Sequence, residues 1–295
     1  MDKELFDREF LSRIEYLSLI SRRLFRGEAR GKHASPIRGT SPDFSDYRSY
    51  LPGDDFRYID WNIYSRLGRL FVKLFAEEED LSVHILLDTS GSMAYGNPRK
   101  IDYARRVGAA LGYIALTSLD RVGVTTFAAG LSGALAPRRG RMQLFHLLEY
   151  MSRISASGTT DFSRSLEGYA LRTRHPGLAI VISDLLDSAA YERGLLALLY
   201  RRFDVVLVQI LDKEEISPAA RGTVRLTDME SGRVMKLTVD RVILAAYRQN
   251  VGRYLSGLEA FCLKAGIEYL RTSTIVPFED LVLKYMRQGA HLHAR

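Results

Sequence analysis

One cysteine, Cys262, stands alone in 295 residues, so no internal disulfide and no cysteine-rich zinc site can form. Its place in a helical apolar pattern marks it as a small core residue rather than a nucleophile. The six histidines are scattered, except for His291 and His293 near the end, and no metal role follows for them. No apolar run approaches the roughly 20 residues that a membrane-crossing helix needs. The start, Met1-Asp2-Lys3-Glu4, lacks the basic-then-apolar signature of a signal peptide, and the expectation is a cytoplasmic protein. Gly-x-Gly-x-x-Gly and Gly-x-Ser-x-Gly are both missing. Gly27-Glu28-Ala29-Arg30-Gly31-Lys32-His33 falls short of a P-loop in spacing and lacks the closing Ser or Thr.

What is present suits a globular chain. The hydrophobic fraction is 46% and the charged fraction 26%, ordinary values that allow a full core. The net charge is 42 − 35 = +7. Basic residues gather in Arg22 to Arg38 and in Arg138-Arg139-Gly140-Arg141, whereas Glu77-Glu78-Glu79-Asp80 is acidic. A basic patch can serve nucleic acid or an anionic membrane surface. Here the aromatic interleaving of a stacking platform is absent, so the patches read as solvated or partner-facing surface, and no nucleic-acid partner is expected.

Residues 2 to 25 carry apolar side chains at Phe6, Phe10, Ile14, Leu17, Ile20 and Leu24, the spacing of an amphipathic helix that needs a core to lie on. Gly27 to Pro42 reads as a long basic loop. Asp43 to Trp61 is dense in aromatics, Asp and Arg. Pro52-Gly53 signals a turn there, and Asp54 or Asp55 is placed to cap a short helix through Trp61 and Tyr64. Leu70 to Phe75 follows as a strand. From residue 81 the pattern alternates: strands at 82–88, 121–127, 178–182 and 204–211, helices at about 99–119, 143–154, 162–173 and 191–202, and an edge strand at 130–135 turning back beside 121–127. Strands this uniformly apolar, separated by helices, predict an α/β fold, a doubly wound and mainly parallel sheet covered on both faces. Val224 to Thr227 and Val234 to Val239 flank Glu230-Ser231-Gly232 as a β-hairpin inserted at about 213–240, standing off the main sheet. Arg241 to Ala265 returns to helix with Gly266 as its cap, followed by a strand at 267–270 and a helix at 278–287. Two parts are expected: 1–80, a helix plus a small lobe, and 81–295, the sheet domain.

The strand at 82–88 ends in Asp88-Thr89-Ser90-Gly91-Ser92. One carboxylate and two hydroxyls on a tight turn offer the hard oxygen donors that a Mg²⁺-like cation takes. Gly158-Thr159-Thr160-Asp161 precedes a helix and Ser183-Asp184 ends another apolar strand, so both emerge where function collects in such sheets, outside the strands' carboxyl ends. Each stretch also has a plain structural reading, a helix cap for Thr159, Thr160 or Asp161 and an ordinary turn for Asp184.

Together these stretches resemble the metal-ion-dependent adhesion site of the von Willebrand factor type A fold. The resemblance assigns Asp88, Ser90 and Ser92 to its first loop, Thr160 to the second, with Thr159 as the neighbouring alternative, and Asp184 to the third. It implies Mg²⁺ or Mn²⁺ as the bound ion. Upstream, Asp46-Tyr47-Arg48-Ser49-Tyr50-Leu51-Pro52-Gly53-Asp54-Asp55-Phe56-Arg57-Tyr58-Ile59-Asp60-Trp61 is similar to the signature of the bacterial DUF58 family, and the match extends over roughly residues 26 to 212. Members are often encoded beside MoxR-type AAA+ ATPases, which makes such an ATPase or its client the implied partner. Many carry transmembrane helices ahead of this region; here only the amphipathic helix at 2–25 stands in that place. The implied function is a metal-dependent protein-interaction module, not an enzyme. Two alternatives stand against it. A metal-dependent phosphoesterase would need more carboxylates and a general base beside the cluster. A fold-only domain would use the same residues merely to tie its loops together.

Overall fold

The computed structural model describes residues 5–26, 44–75, 81–186, 191–230 and 232–292. Its centre is a six-stranded sheet built from β3 (Ser82–Asp88), β4 (Arg121–Phe127), β5 (Leu131–Arg138), β6 (Leu178–Ser183), β7 (Asp204–Leu211) and β10 (Glu268–Ser273). The order across the sheet is β10-β7-β6-β3-β4-β5. Every pairing is parallel except β4 with the edge strand β5. This is the doubly wound architecture that the alternation of strands and helices predicts.

Successive side chains of a strand point to opposite faces, and here both faces are apolar. Ile85, Leu87, Ile180, Ile182, Val206 and Val208 pack into one core. Leu86, Ala179, Val181, Val205 and Leu207 pack into the other. The first core is closed by α1 (Arg8–Arg26), α3 (Lys100–Thr117), α4 (Arg141–Arg153) and α9 (Phe278–Leu292), the second by α5 (Phe162–Arg172), α6 (Tyr191–Tyr200) and α8 (Arg241–Ala265). Cys262 is fully buried in the second core, and burial pushes its thiol up to about 12, as befits a packing residue.

The first helix was expected to go with the lobe at 1–80. It belongs with the sheet instead: the compact units are 1–22 with 81–295, and 23–80. Phe6, Phe10, Ile14 and Leu17 join the first core, and Arg13 pairs with Glu279 of α9 at 2.6 Å. A six-residue apolar stripe gains more from a large sheet core than from a small lobe, at about 25 cal/mol per Å² buried.

The lobe pairs β1 (Phe44–Ser49) antiparallel with β2 (Phe71–Phe75). β1 was not expected, because Asp46 and Arg48 interrupt any apolar run. The helix α2 (Trp61–Leu67) is capped by Asp60, not by Asp54 or Asp55: Asp60 accepts from Asn62 N and Ile63 N. Asp55 caps a 3₁₀ turn before it, and Asp54 takes a two-pronged ion pair from Arg48 at 2.6 and 2.8 Å while closing the Pro52-Gly53 turn through Leu51 N. The basic loop expected at Gly27 to Pro42 and the acidic block at Glu77 to Asp80 lie outside the described residues.

The hairpin β8 (Gly222–Thr227) with β9 (Val234–Val239) forms its own two-stranded sheet, as predicted. It follows a short helix, α7 (Lys213–Ile216), that the sequence reading lacked. Gly266, at φ +71°, ends α8 in the left-handed conformation that glycine tolerates best.

Candidate metal centre

β3 delivers Asp88 to the carboxyl edge of the sheet, and the chain then tightens into a 3₁₀ turn over Gly91–Ala94. Asp88 is 1% exposed and Ser90 fully buried. One Asp88 oxygen accepts from Ser90 N at 2.9 Å and the other from Ser183 Oγ at 2.6 Å. The Ser90 and Ser92 hydroxyls lie 3.0 Å apart. The second loop is sewn to the first by backbone: Gly91 N donates to Gly158 O at 2.7 Å and Ser157 N to Thr89 O at 2.8 Å. A Cβ at Gly91 would stand 2.7 Å from Met229 O and 3.0 Å from Gly158 O, so the approach requires glycine.

Asp184, 2% exposed, follows β6. Its oxygens accept from Leu186 N at 3.1 Å and from the Lys100 ammonium at 2.7 Å. Three loops are thus cross-linked: Asp88, Ser90 and Ser92 directly, Asp184 through Ser183, and the loop of Thr160 through Thr89 and Gly91. Asp161 takes its plain reading, accepting from Arg164 N to cap α5. The two threonines separate clearly. Thr159 is exposed, whereas the Thr160 hydroxyl oxygen is buried with no hydrogen-bond partner among the described residues.

Buried carboxylates share this region with one buried ammonium. Burial first, and then the Asp184 charge, push the Asp88 carboxyl well above the usual carboxylate range. Lys100, fully buried, pairs with both Asp184 and Glu215. Burial works against its charge, but the two carboxylates outweigh burial and leave its pKa raised. Glu215 is raised too, since burial outweighs Lys100 there. Glu215 also completes a capping box with Asp212 at the start of α7. Sequence reasoning missed Lys100, and one signal pointed to it. A lysine in the first turn of a helix opposes the macrodipole, so an acidic partner had to be near.

Glu230 was read only as part of a turn. It accepts from Thr160 N at 3.0 Å, which brings the hairpin tip to the second loop.

The donor set consists of two carboxylates and three hydroxyls, all hard oxygens, which suits Mg²⁺ or Mn²⁺. Among the described residues no three His, Cys, Asp or Glu side chains group as a metal cluster, and a hydroxyl-rich set of this kind does not require one. The Thr160 hydroxyl, buried and unpartnered among the described residues, is an oxygen left without a bond on a loop tied to the Asp88 turn, so the donor set is compatible with such an ion.

The sequence model described as "Protein of unknown function DUF58" matches residues 46–254. The chain belongs to the DUF58 family. Among its relatives, the uncharacterised protein Rv1480 of Mycobacterium tuberculosis is 25% identical over 269 residues, covering 87% of this chain and 84% of that one. Among solved structures, this DUF58 protein is similar to the conserved hypothetical protein BatB from Bacteroides thetaiotaomicron, at 17% identity and a TM-score of 0.45 over 73% of this chain and 100% of that one. It is also similar to an aerotolerance-related membrane protein from Bacteroides fragilis, at 15% identity and a TM-score of 0.46 over 72% and 99% of the two chains. Among the described residues of this DUF58 protein no helix is long and apolar enough to cross a membrane.

Proposed function

We propose that this DUF58 protein is a metal-dependent interaction module, not an enzyme, in which Asp88, Ser90, Ser92, Thr160 and Asp184 hold a Mg²⁺ or Mn²⁺ ion that accepts a carboxylate from a partner protein. The observation that carries the reading is the buried Thr160 hydroxyl, without a partner among the described residues, on a loop bonded to the Asp88 turn. An orphaned buried polar group of this kind costs about 1–3 kcal/mol, a cost that a ligand at that position removes. The ion, when bound, supplies a Lewis-acidic centre with a vacancy for an anionic oxygen. The chain's own part is to hold the donors. Ser90 N and Ser183 Oγ fix the two oxygens of Asp88, and Lys100 fixes one oxygen of Asp184 while offsetting part of its charge. A site so held keeps the cation under-neutralised, which favours an acidic partner group. A MoxR-type AAA+ ATPase, or the client it acts on, is the partner that family membership suggests.

Calorimetric titration with Mn²⁺ tests the reading. The wild type should bind one ion per chain, Asp88→Ala none, and Thr160→Val at least tenfold more weakly. Retention of the ATPase on the immobilised chain should then be lost with EDTA. Equal Mn²⁺ binding by wild type and Asp88→Ala would sink the reading.

A further inference from the structure

The β8–β9 hairpin buries little of itself, with only Val239 buried along its two strands, yet its tip reaches the rim. The Glu230 carboxylate accepts from Thr160 N at 3.0 Å. Met229 O lies so close over Gly91 that a methyl group there would stand 2.7 Å away. A turn built for the purpose presents them: Asp228 accepts from Glu230 N at 2.8 Å, and Gly232 N bonds Asp228 O at 2.9 Å. Between tip and rim lies a cavity of about 490 Å³, with Ser92, Tyr95 and Leu186 on one wall and Leu226, Met229 and Glu230 on the other. One candidate ligand, Ser92, therefore faces a space that the hairpin helps to line.

We propose that the hairpin is a strap, and that Glu230 is the chain's own carboxylate at the mouth of the rim, exchanged for the carboxylate of an acidic partner segment when that segment docks. This rests on the metal-dependent reading above. A carboxylate on a backbone N–H is a charge-assisted bond, stronger than a neutral one, but an incoming carboxylate can replace it in kind. The rest of the hairpin offers little resistance, because thinly packed elements open at low cost. While in place, Glu230 also repels a second carboxylate, so only a segment that gains the ion as well can displace it.

Amide hydrogen exchange on the full chain, with Mn²⁺ and acetate as probes, tests this. Glu230→Ala should speed exchange of the Thr160 amide and of the β8–β9 amides at least tenfold, leaving β3 and β6 protected. Glu230→Gln should fall between, since its amide oxygen accepts without charge. With Mn²⁺ bound, saturating acetate should bring the wild-type hairpin toward the Glu230→Ala rate. Unchanged exchange in Glu230→Ala, or a wild-type hairpin indifferent to acetate while Mn²⁺ is bound, overturns the strap and leaves the metal reading standing. Fast exchange in Glu230→Ala together with no Mn²⁺ binding by either form overturns the metal reading, and the strap with it.

Discussion

The rim around Asp88 and the hairpin that closes over it are neighbours held by opposite means. The rim's two carboxylates are buried at the ends of β3 and β6, and each of their oxygens already has a donor within the chain. The hairpin is mostly exposed, and its tip meets the rim through the Glu230 carboxylate on the Thr160 amide and the close approach of Met229 O to Gly91. Buried carboxylates whose oxygens are bonded within the chain are held rigidly, whereas exposed two-stranded ribbons are marginal by themselves. A preorganised receptor beneath a removable cover follows from that contrast. It assigns stability to the rim's supports and regulation to the hairpin, and substitutions on the two sides should differ accordingly.

The largest effect is expected at Lys100. Replacing it with Met keeps its bulk but leaves Asp184 and Glu215 facing each other without their shared cation. Breaking a buried ion pair by removing one partner typically costs about 3–5 kcal/mol. Urea unfolding of Lys100→Met should show a loss of that order, and added Mn²⁺ should restore part of it, because a cation at the rim returns positive charge beside Asp184. A loss under about 1 kcal/mol would mean that the rim is no better secured than its cover.

A second effect sharpens the same side through pH. His84 lies on β3, four residues before Asp88, with its Nδ1 at 2.7 Å from the Tyr169 hydroxyl and its ring against Phe203. Burial lowers its pKa to about 4 from the ordinary 6.5. Between those values the unfolded chain binds the proton and the native chain does not, so stability falls as pH drops from 6.5 toward 4 and is flat in this respect above 6.5. The lowering corresponds to roughly 3 kcal/mol at most. Measured as the difference between wild type and His84→Phe across that range, the loss should appear in the sheet core and not in hairpin exchange rates.

How much of this contrast could be read from the sequence depends on the range of the interactions. β3, β6 and β7 were legible because both faces are covered, which writes an unbroken apolar run into the chain. The grouping of Asp88, Ser90 and Ser92 was legible because they stand at alternate positions of one turn. Lys100 was not, since its partners are 84 and 115 positions away. Glu230 was legible as a turn residue and illegible as a contact, because its acceptor role depends on Thr160, 70 positions earlier. In the lobe, Asp54, Asp55 and Asp60 carry equal capping propensity. Which one caps α2 was decided by tertiary partners: Arg48 claims Asp54, while Asp60 gathers Tyr47 and Lys73 around the helix start.

The smallest effect is expected on the exposed faces of the hairpin itself, and its smallness is what separates a strap from a core element. Val234 and Met235 are 48% and 58% exposed, so Val234→Thr and Met235→Lys act on side chains already about half in solvent. Substitutions of this kind usually stay within about 0.5 kcal/mol. The urea midpoint and the Mn²⁺ affinity of both variants should match the wild type. Val239, at the foot of β9, is the internal control, being buried in a strand otherwise open to solvent. Val239→Ala should loosen the whole ribbon and raise its exchange rates while sparing β3. Should Met235→Lys instead lower global stability as much as Val239→Ala does, the hairpin would have to be counted as part of the folded core, and Glu230 could no longer act as a latch that opens without unfolding the protein.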